Sequence, residues 1–430
     1  MPVSVILFQE FMLRHLGGKQ EMSDPWFQSL FADRIGGKGY GKGTEIYKFE
    51  KIKRAKRAVM AAHPERPILD FGIGENDDMA DALVREVAKR EIDKLDNRGY
   101  ADNGIAAFKE AAATFMKKVF NVALDPEKEV NHAIGSKPAL AMIPAAFINP
   151  GDITLMTVPG YPVAGTHTRY YGGKVYELPL REENGFYPDL DGIAEDVRKK
   201  AKLLVINYPN SPTGAVATRD FYRRVIDFAR QNKIVVVQDA AHILLSYGAA
   251  PLSFLQMDGA KEFGVEIHSL SKGFNMIGWR MAFVAGHAKI VQAFADVKDN
   301  SDSGQFMAIQ HAAKAALDHF ELGDRTRAKY HRRLKKLVDA LNKVGFKASM
   351  PGGTYFLYVR APRGCGERSF ANAEAASQFL IGEQSVICVP WDNAGAYLRF
   401  SVTYLAKDER EEDALMEETV RRLGRLRLHF

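Results

Sequence analysis

Between about residue 130 and residue 290 the chain alternates short apolar, β-branched runs with longer amphipathic stretches, and few architectures accommodate that rhythm. The runs are ITLMTV (153–158), KVYELPL (174–180), KLLVIN (202–207), KIVVVQD (233–239), VEIHSL (265–270) and MAFVAG (281–286). Runs without polar alternation suit strands buried on both faces, and spacers of roughly 15–25 residues with helical periodicity suit crossover helices. A mostly parallel α/β sheet follows. After residue 305 the pattern changes to long helices (about 306–319 and 325–344), short strands around GTYFLYV and YLRFSV, and a charged terminal helix, DEREEDALMEETVRRLGRL. That reads as a second, smaller α+β domain completed by the N-terminal segment.

Length and composition exclude several classes. At 430 residues, with about 150 residues per domain, two or three domains are expected. A chain that is 46% hydrophobic and 26% charged is neither disordered nor membrane-spanning in composition. Cys365 and Cys388 cannot make a disulfide framework and lack zinc-site spacing, so a reducing compartment, the cytoplasm, is expected. The charge of +6, from 59 basic and 53 acidic residues, is interspersed rather than gathered in a nucleic-acid-binding stripe. The densest basic run, RTRAKYHRRLKK (325–336), reads as the solvated face of a surface helix. The opening MPVSVILFQEFML lacks a preceding positive region and a small-residue cleavage site, so it is not read as a signal peptide and is given no chemistry.

Familiar catalytic motifs fail in turn. GGKGYGKGTE (36–45) resembles a phosphate loop, but Lys42 precedes Gly43 rather than a hydroxyl residue. There is no H-E-x-x-H pair, no G-x-S-x-G elbow, and FGIGEND is only a fragment of a dinucleotide fingerprint.

Ligands of open α/β sheets bind outside the carboxyl ends of the strands, and polar groups fall at four such ends. In IGSKPAL, Pro138 at the first helical position leaves the amides behind Ser136 and Lys137 free for an anion; Pro144 predicts a kink further along. Asp239 ends the run IVVVQD, where a buried carboxylate requires a cation or strong donor. In HSLSKGFNMIGWR, Lys272 lies between hydroxyls and an arginine, with Ser269 and Ser271 before it and Arg280 eight residues on. Such an amine can form a Schiff base, and the hydroxyls and guanidinium can hold a phosphate. Finally PNSPTG (209–214) and PGYP (159–162) form turns after strands, the second placing Tyr161 where a ring can stack on a flat ligand or serve as packing.

On these residues the chain resembles the fold-type I pyridoxal-phosphate aminotransferases from about Phe27 to the terminal helix. FADRIGGKGYGKGTEIYKFEKIKRAKRA, NRGYADNGI, HAIGSKPALAMIPAAFINPGD, PGYPVAGTHT, KDNSDSGQF and VPWDNAGAYLRFSVT resemble, more narrowly, the bacterial LL-diaminopimelate aminotransferases. The resemblance implies a large α/β domain (76–310) with a seven-stranded-type, mostly parallel sheet, a small α+β domain (46–75 and 311–430) and an N-terminal arm (1–45). It implies pyridoxal 5′-phosphate on Lys272, which then moves the substrate proton, with Asp239 facing the pyridine nitrogen. Ser136, Lys137, Ser269, Ser271 and Arg280 would bind the phosphate and Tyr161 would stack on the ring. Arg399 would clamp the substrate α-carboxylate beside the Gly74 backbone. Tyr100 and Gln305 would reach the phosphate of the neighbouring subunit of a homodimer. Asp102, Asn103 and the aromatics Trp26 and Phe27 are nominated for the far end of the substrate.

Two positions depart from the family pattern. Ser211, preceded by Asn210, stands where the family has Asn before Pro-Thr-Gly, and His242 stands where it has Tyr. In the family both positions hydrogen-bond the phenolic oxygen of the cofactor, so the resemblance implies an altered proton affinity unless Asn210 and His242 donate equally well. The implied reaction takes LL-2,6-diaminopimelate and 2-oxoglutarate to tetrahydrodipicolinate and glutamate, in lysine and cell-wall precursor synthesis. Alternatives are a same-fold enzyme for aspartate, alanine or aromatic amino acids and, more distantly, a non-catalytic regulator.

Overall fold

The computed structural model describes residues 25–42 and 48–430, and the chain divides into two compact units, 1–47 and 48–430. In the first, a helical turn at Pro25–Gln28 leads into 3-10 turns at Asp33–Ile35 and Gly37–Gly39. Gly36, at φ 117°, joins the last two, and Trp26, Phe27, Phe31 and Tyr40 form a run of ring contacts. The opening apolar run and residues 43–45 of GGKGYGKGTE lie outside the described residues.

The second unit is organised by a seven-stranded sheet of β1 (Val130–Ala133), β2 (Ile153–Val158), β3 (Lys174–Pro179), β4 (Ala201–Asn207), β5 (Val235–Asp239), β6 (Gly264–Ser269) and β7 (Ala282–Gly286). The order is β1-β7-β6-β5-β4-β2-β3. Strands β3, β2, β4, β5 and β6 are parallel, whereas β7 runs antiparallel to both of its neighbours. The continuous apolar runs have a physical reason in this sheet. Leu204, Ile206 and Val236 enter the core on one face, while Leu203, Val205, Val237, Val265 and Ile267 enter the core on the other. The exception is β3. KVYELPL reads as a doubly buried strand, but it is the sheet's edge and most of its residues are exposed or half-buried.

Beyond the sheet, β8 (Phe356–Arg360), β9 (Val389–Trp391) and β10 (Tyr397–Ser401) form an antiparallel sheet ordered β9-β10-β8. Its core includes side chains from α3 (Leu322–Lys343) and α4 (Glu409–Leu423). Helix α1 (Lys48–Ala62) packs Ile52 and Val59 against Ile381, Ile387 and Val389.

Two local expectations are corrected. Helix α2 (Ser136–Phe147) begins two residues before Pro138 and continues through Pro144. Pro138 is therefore the third helical residue, still inside the first turn where a missing N–H leaves no bond unmade. The run RTRAKYHRRLKK lies in α3 and is not wholly solvated: the Arg333 side chain is 1% exposed and bonded to both Asp77 and Glu412. Composition reveals a charged helix; it cannot reveal that two distant acids close over one of its arginines.

Candidate active site

The carboxyl ends of β4, β5 and β6 bring the predicted chemistry together. Asp239 is the last residue of β5, paired with Asn207 on one side and Ile267 on the other. Its side chain is buried, with Oδ1 accepting the Ala241 amide at 3.1 Å. Burial pushes its carboxyl up to about 6, against the Ala241 bond and the charges of His268 and Lys272. A carboxylate held there waits for a cationic or N–H partner.

Lys272 sits on the helical turn Leu270–Gly273 that follows β6. Its Nζ donates to the Gly74 carbonyl at 3.0 Å, the same oxygen that accepts the Tyr355 hydroxyl at 2.7 Å. Asn76 Nδ2 donates to the Lys272 backbone carbonyl at 2.8 Å. Segment 72–77 therefore holds Lys272 at two points, its side-chain amine and its backbone carbonyl. Tyr355 and Asn76 are residues that sequence reasoning missed; GTYFLYV carried only a strand signal.

Opposite, Arg280 adopts φ 57° and folds its guanidinium over Gly135. A Cβ at position 135 would lie 2.0 Å from Arg280 Nη2. Glycine is thus required by both its φ of 92° and the close approach. This places the arginine at the start of α2, beside Ser136 and Lys137. On the other side of Lys272, the Ser269 hydroxyl caps the Leu270–Gly273 turn by accepting the Ser271 amide at 3.1 Å. A helix start, hydroxyls and a guanidinium make a donor set that could hold a phosphate.

The two departing positions are now legible. His242 is buried with Nδ1 lacking a hydrogen-bond partner, and burial followed by the charges of Lys272 and Arg399 holds its ring well below the usual imidazole range. The charges of both Lys272 and Arg399 reach this ring. The Asn210 Oδ1 accepts from Thr213, while its Nδ2 is buried without a partner. The Ser211 amide donates to Asn207 Oδ1 at 2.8 Å, and Asn207 Nδ2 ties the turn to the Asp239 carbonyl at 2.8 Å. Asn207, which sequence reasoning counted only as the end of a strand, fixes the PNSPTG turn to β5. Unsatisfied buried polar atoms on Asn210 and His242, at the same strand ends as buried Asp239, fit a flat polar ligand, and the donor set at Ser136, Ser269 and Arg280 fits its phosphate tail.

Arg399 lies on β10, 6% exposed, with Nη2 donating to the Gly72 carbonyl at 3.2 Å and its guanidinium 4.1 Å over the Phe356 ring. Gly74 is beside it: a Cβ there would come within 3.9 Å of Arg399 Nη2. Tyr161 is 43% exposed and Tyr100 84% exposed. Gln305 Nε2 donates to the Trp279 carbonyl at 2.8 Å. Next to it, Gly304 bridges to Ala101. Asp102 and Asn103 are tied within this chain: the Asp102 carbonyl accepts Lys298 Nζ, and Asn103 bonds to Asp299 and Asn131. Trp26 belongs to the first unit. Among the described residues no cluster of His, Cys, Asp or Glu is arranged to hold a metal, and no helix is long and apolar enough to cross a membrane.

The geometry agrees with comparisons to known proteins. The chain is 56% identical over 416 residues, 95% of its length and 100% of the relative's, to the LL-diaminopimelate aminotransferase of Methanocaldococcus jannaschii. It is 38% identical to the enzyme of that name from Aquifex aeolicus, over 87% of this chain and 95% of the relative. A substrate-bound structure of BacF from Bacillus subtilis superposes with a TM-score of 0.83 at 31% identity, covering 93% of this chain and 98% of that one. Residues 66–416 match the model of the aminotransferase class I and II family. The chain belongs to the class I and II aminotransferases.

Proposed function

We propose that this protein catalyses pyridoxal-phosphate-dependent transfer of an amino group from LL-2,6-diaminopimelate to 2-oxoglutarate, giving tetrahydrodipicolinate and glutamate. The observation that carries the reading is geometric: buried Asp239 closes β5, Lys272 stands on the turn after β6, and the segment whose Gly74 carbonyl takes Lys272 Nζ also offers the Gly72 carbonyl to Arg399 Nη2. Relatives named for this reaction, matched over nearly the whole chain, supply the substrate.

In this reading pyridoxal phosphate, when bound, supplies an electron sink for the pair released as the substrate loses its α-proton. Asp239 would keep the ring nitrogen protonated, and the Lys272 amine would take the substrate α-proton and return it. Ser136, Lys137, Ser269, Ser271 and Arg280 hold the phosphate, and Tyr161 covers the ring. Asn210, Ser211 and His242 face the phenolic oxygen. Arg399 grips the α-carboxylate with Gly74 alongside. A homodimer would bring Tyr100 and Gln305 to the partner's site, with Asp102, Asn103 and Trp26 assigned to the far end of the substrate. The sheet domain is assigned to 76–310, the smaller domain to 46–75 and 311–430, and the arm to 1–45, in the cytoplasm. A donor panel tests the substrate: glutamate formation from 2-oxoglutarate should be fastest with LL-diaminopimelate, and equal or faster rates with aspartate, alanine or phenylalanine would reject it.

Two further results are expected at the ring. Asp239→Asn should lower kcat/KM about 10²–10³-fold, as loss of a preorganised electrostatic partner does. In cofactor-free protein the same change should stabilise. The wild-type carboxyl, raised to about 6, favours folding only while protonated. That contribution is complete below about pH 4 and lost as pH rises through 6. The variant should therefore equal wild type near pH 4 and exceed it by about 1–3 kcal/mol at pH 7.5, measured by urea unfolding. At the phenolic oxygen, Ser211→Asn and His242→Tyr add donors that favour its anion. Each should lower the pH midpoint of the bound cofactor's visible band by up to about one unit, since a bond worth 1–3 kcal/mol is at stake and one unit is about 1.4. Three superimposable titrations would refute that assignment.

A further inference from the structure

Beyond Arg399, one face of the small sheet carries two hydrogen-bond donors without a partner among the described residues. The register β9-β10-β8 sets Arg399 directly beside Tyr358 and Val389, and Trp391 directly beside Tyr397. Paired residues share a face, so Arg399, Tyr358, Tyr397 and Trp391 form one patch. Tyr358 and Tyr397 stack with centroids 4.4 Å apart and planes 11° from parallel. The Tyr358 hydroxyl and the Trp391 indole N–H are both buried with no hydrogen-bond partner.

Lys48, the first residue of α1, adds a cation to this patch. Its Nζ lies 3.2 Å from the centre of the Trp391 ring, and the hydrogen-bond acceptor it reaches is the Pro390 carbonyl at 3.5 Å. Next to it, Phe49 lies with its ring 5.9 Å from the Arg399 guanidinium. An ammonium carries three donors, and here a ring face and one long contact serve them.

The nearby acids are committed elsewhere. Asp392, whose charge reaches Lys48, accepts the Ala373 and Glu374 amides at 2.8 and 3.3 Å, and Glu374 in turn takes Lys51 at 2.6 Å. Burial, then the Arg399 charge, pull Lys48 down to about 8. A half-buried cation beside a second cation, with ammonium donors to spare and no free carboxylate among the described residues, is an arrangement that an incoming anion would relieve.

We propose that Lys48, Tyr358 and Trp391 form a second carboxylate subsite next to Arg399, which selects dicarboxylic over monocarboxylic substrates. The inference deepens the reading above, in which both the amino donor and the oxo acceptor are dicarboxylates; it rests on that reading for the role of Arg399, and of the far end it takes only the carboxylate, leaving the far ammonium of diaminopimelate to the residues assigned there. Lys48 touches the second carboxylate through its ammonium, while the two aromatic donors complete the shell and the Tyr397 ring supports Tyr358.

The test is equilibrium binding of two unreactive probes, glutarate and butyrate, to the holoenzyme by calorimetry, which requires no turnover of any amino acid. Lys48→Met should weaken glutarate about 10-fold or more and leave butyrate within about twofold. Lys48→Arg should recover most of the glutarate affinity. Tyr358→Phe, which keeps the stacked ring and loses only the hydroxyl, should weaken glutarate about threefold. Equal losses for both probes, or no loss for either, in folded Lys48→Met and Tyr358→Phe proteins would overturn the subsite. Failure of the wild type to turn over LL-diaminopimelate while glutarate selectivity persists would instead overturn only the substrate assignment.

Discussion

Lys272→Ala is expected to reduce transamination by about 10⁴-fold or more, the upper end of what a positioned acid–base group contributes, with the protein still folded. The argument is geometric. The amine reaches the mouth of the site on a four-residue turn, and its resting partner is a backbone carbonyl, Gly74 O, which Tyr355 also engages. No core contact depends on Nζ, so truncation removes a reagent and leaves the scaffold. Circular dichroism should be unchanged, the visible band of the bound cofactor should be lost, and a small primary amine added to the solution should restore part of the activity. A variant that keeps the band and more than a tenth of the wild-type rate would remove Lys272 from the chemistry.

Arg333→Met should cost about 3–5 kcal/mol of folding stability, the range seen when one member of a buried ion cluster is deleted. The guanidinium is fully used: Nε to Glu412 at 2.7 Å, Nη1 to Asp77 at 3.0 Å and to the carbonyls of Val402 and Tyr404, with the Tyr404 ring 4.5 Å away. Burial pushes Glu412 up, but the bonds from Arg332, Arg333 and Lys336 prevail and hold it at about 2. Its share of stability is therefore present above about pH 4.5 and lost as pH falls through 2. Methionine fills the space without the charge, leaving two buried acids and two carbonyls short of a donor. Because Asp77 closes the segment that carries Gly74 and Asn76, the same variant should also lose activity before it unfolds. Urea unfolding at pH 7 measures the first effect and kcat at 25 °C the second; a loss under 1 kcal/mol would show the cluster to be dispensable.

The strands were legible because a strand buried on both faces has nowhere to put polar side chains, so β2, β4, β5 and β6 appear as plain apolar text. The edge strand β3 shares that text in part, and its exposure is set by its position in the sheet, which no local pattern encodes. Asp239 and Lys272 could be nominated because each ends or follows a strand where burial demands a reason, and Arg280 by its spacing from Lys272, whereas Arg399 came from the family resemblance alone. Tyr355, Asn76, Asn207 and Lys48 could not. Their neighbours are as much as about 350 positions away in the chain, as with Lys48 and Trp391, and spacing carries no information about contacts made only on folding.

What the sequence determined alone is therefore local and repetitive: strand and helix periods, glycines where the backbone turns left-handed, and acids and amines placed at strand ends. Tertiary structure decided which of these charges are desolvated together. Lone pairs and ammonium groups have energies set by their nearest few ångströms, and those neighbours are chosen by the packing of distant segments. The same physics makes Arg333 a core residue, gives Asp239 its raised proton affinity and leaves the Tyr358 and Trp391 donors without acceptors among the described residues.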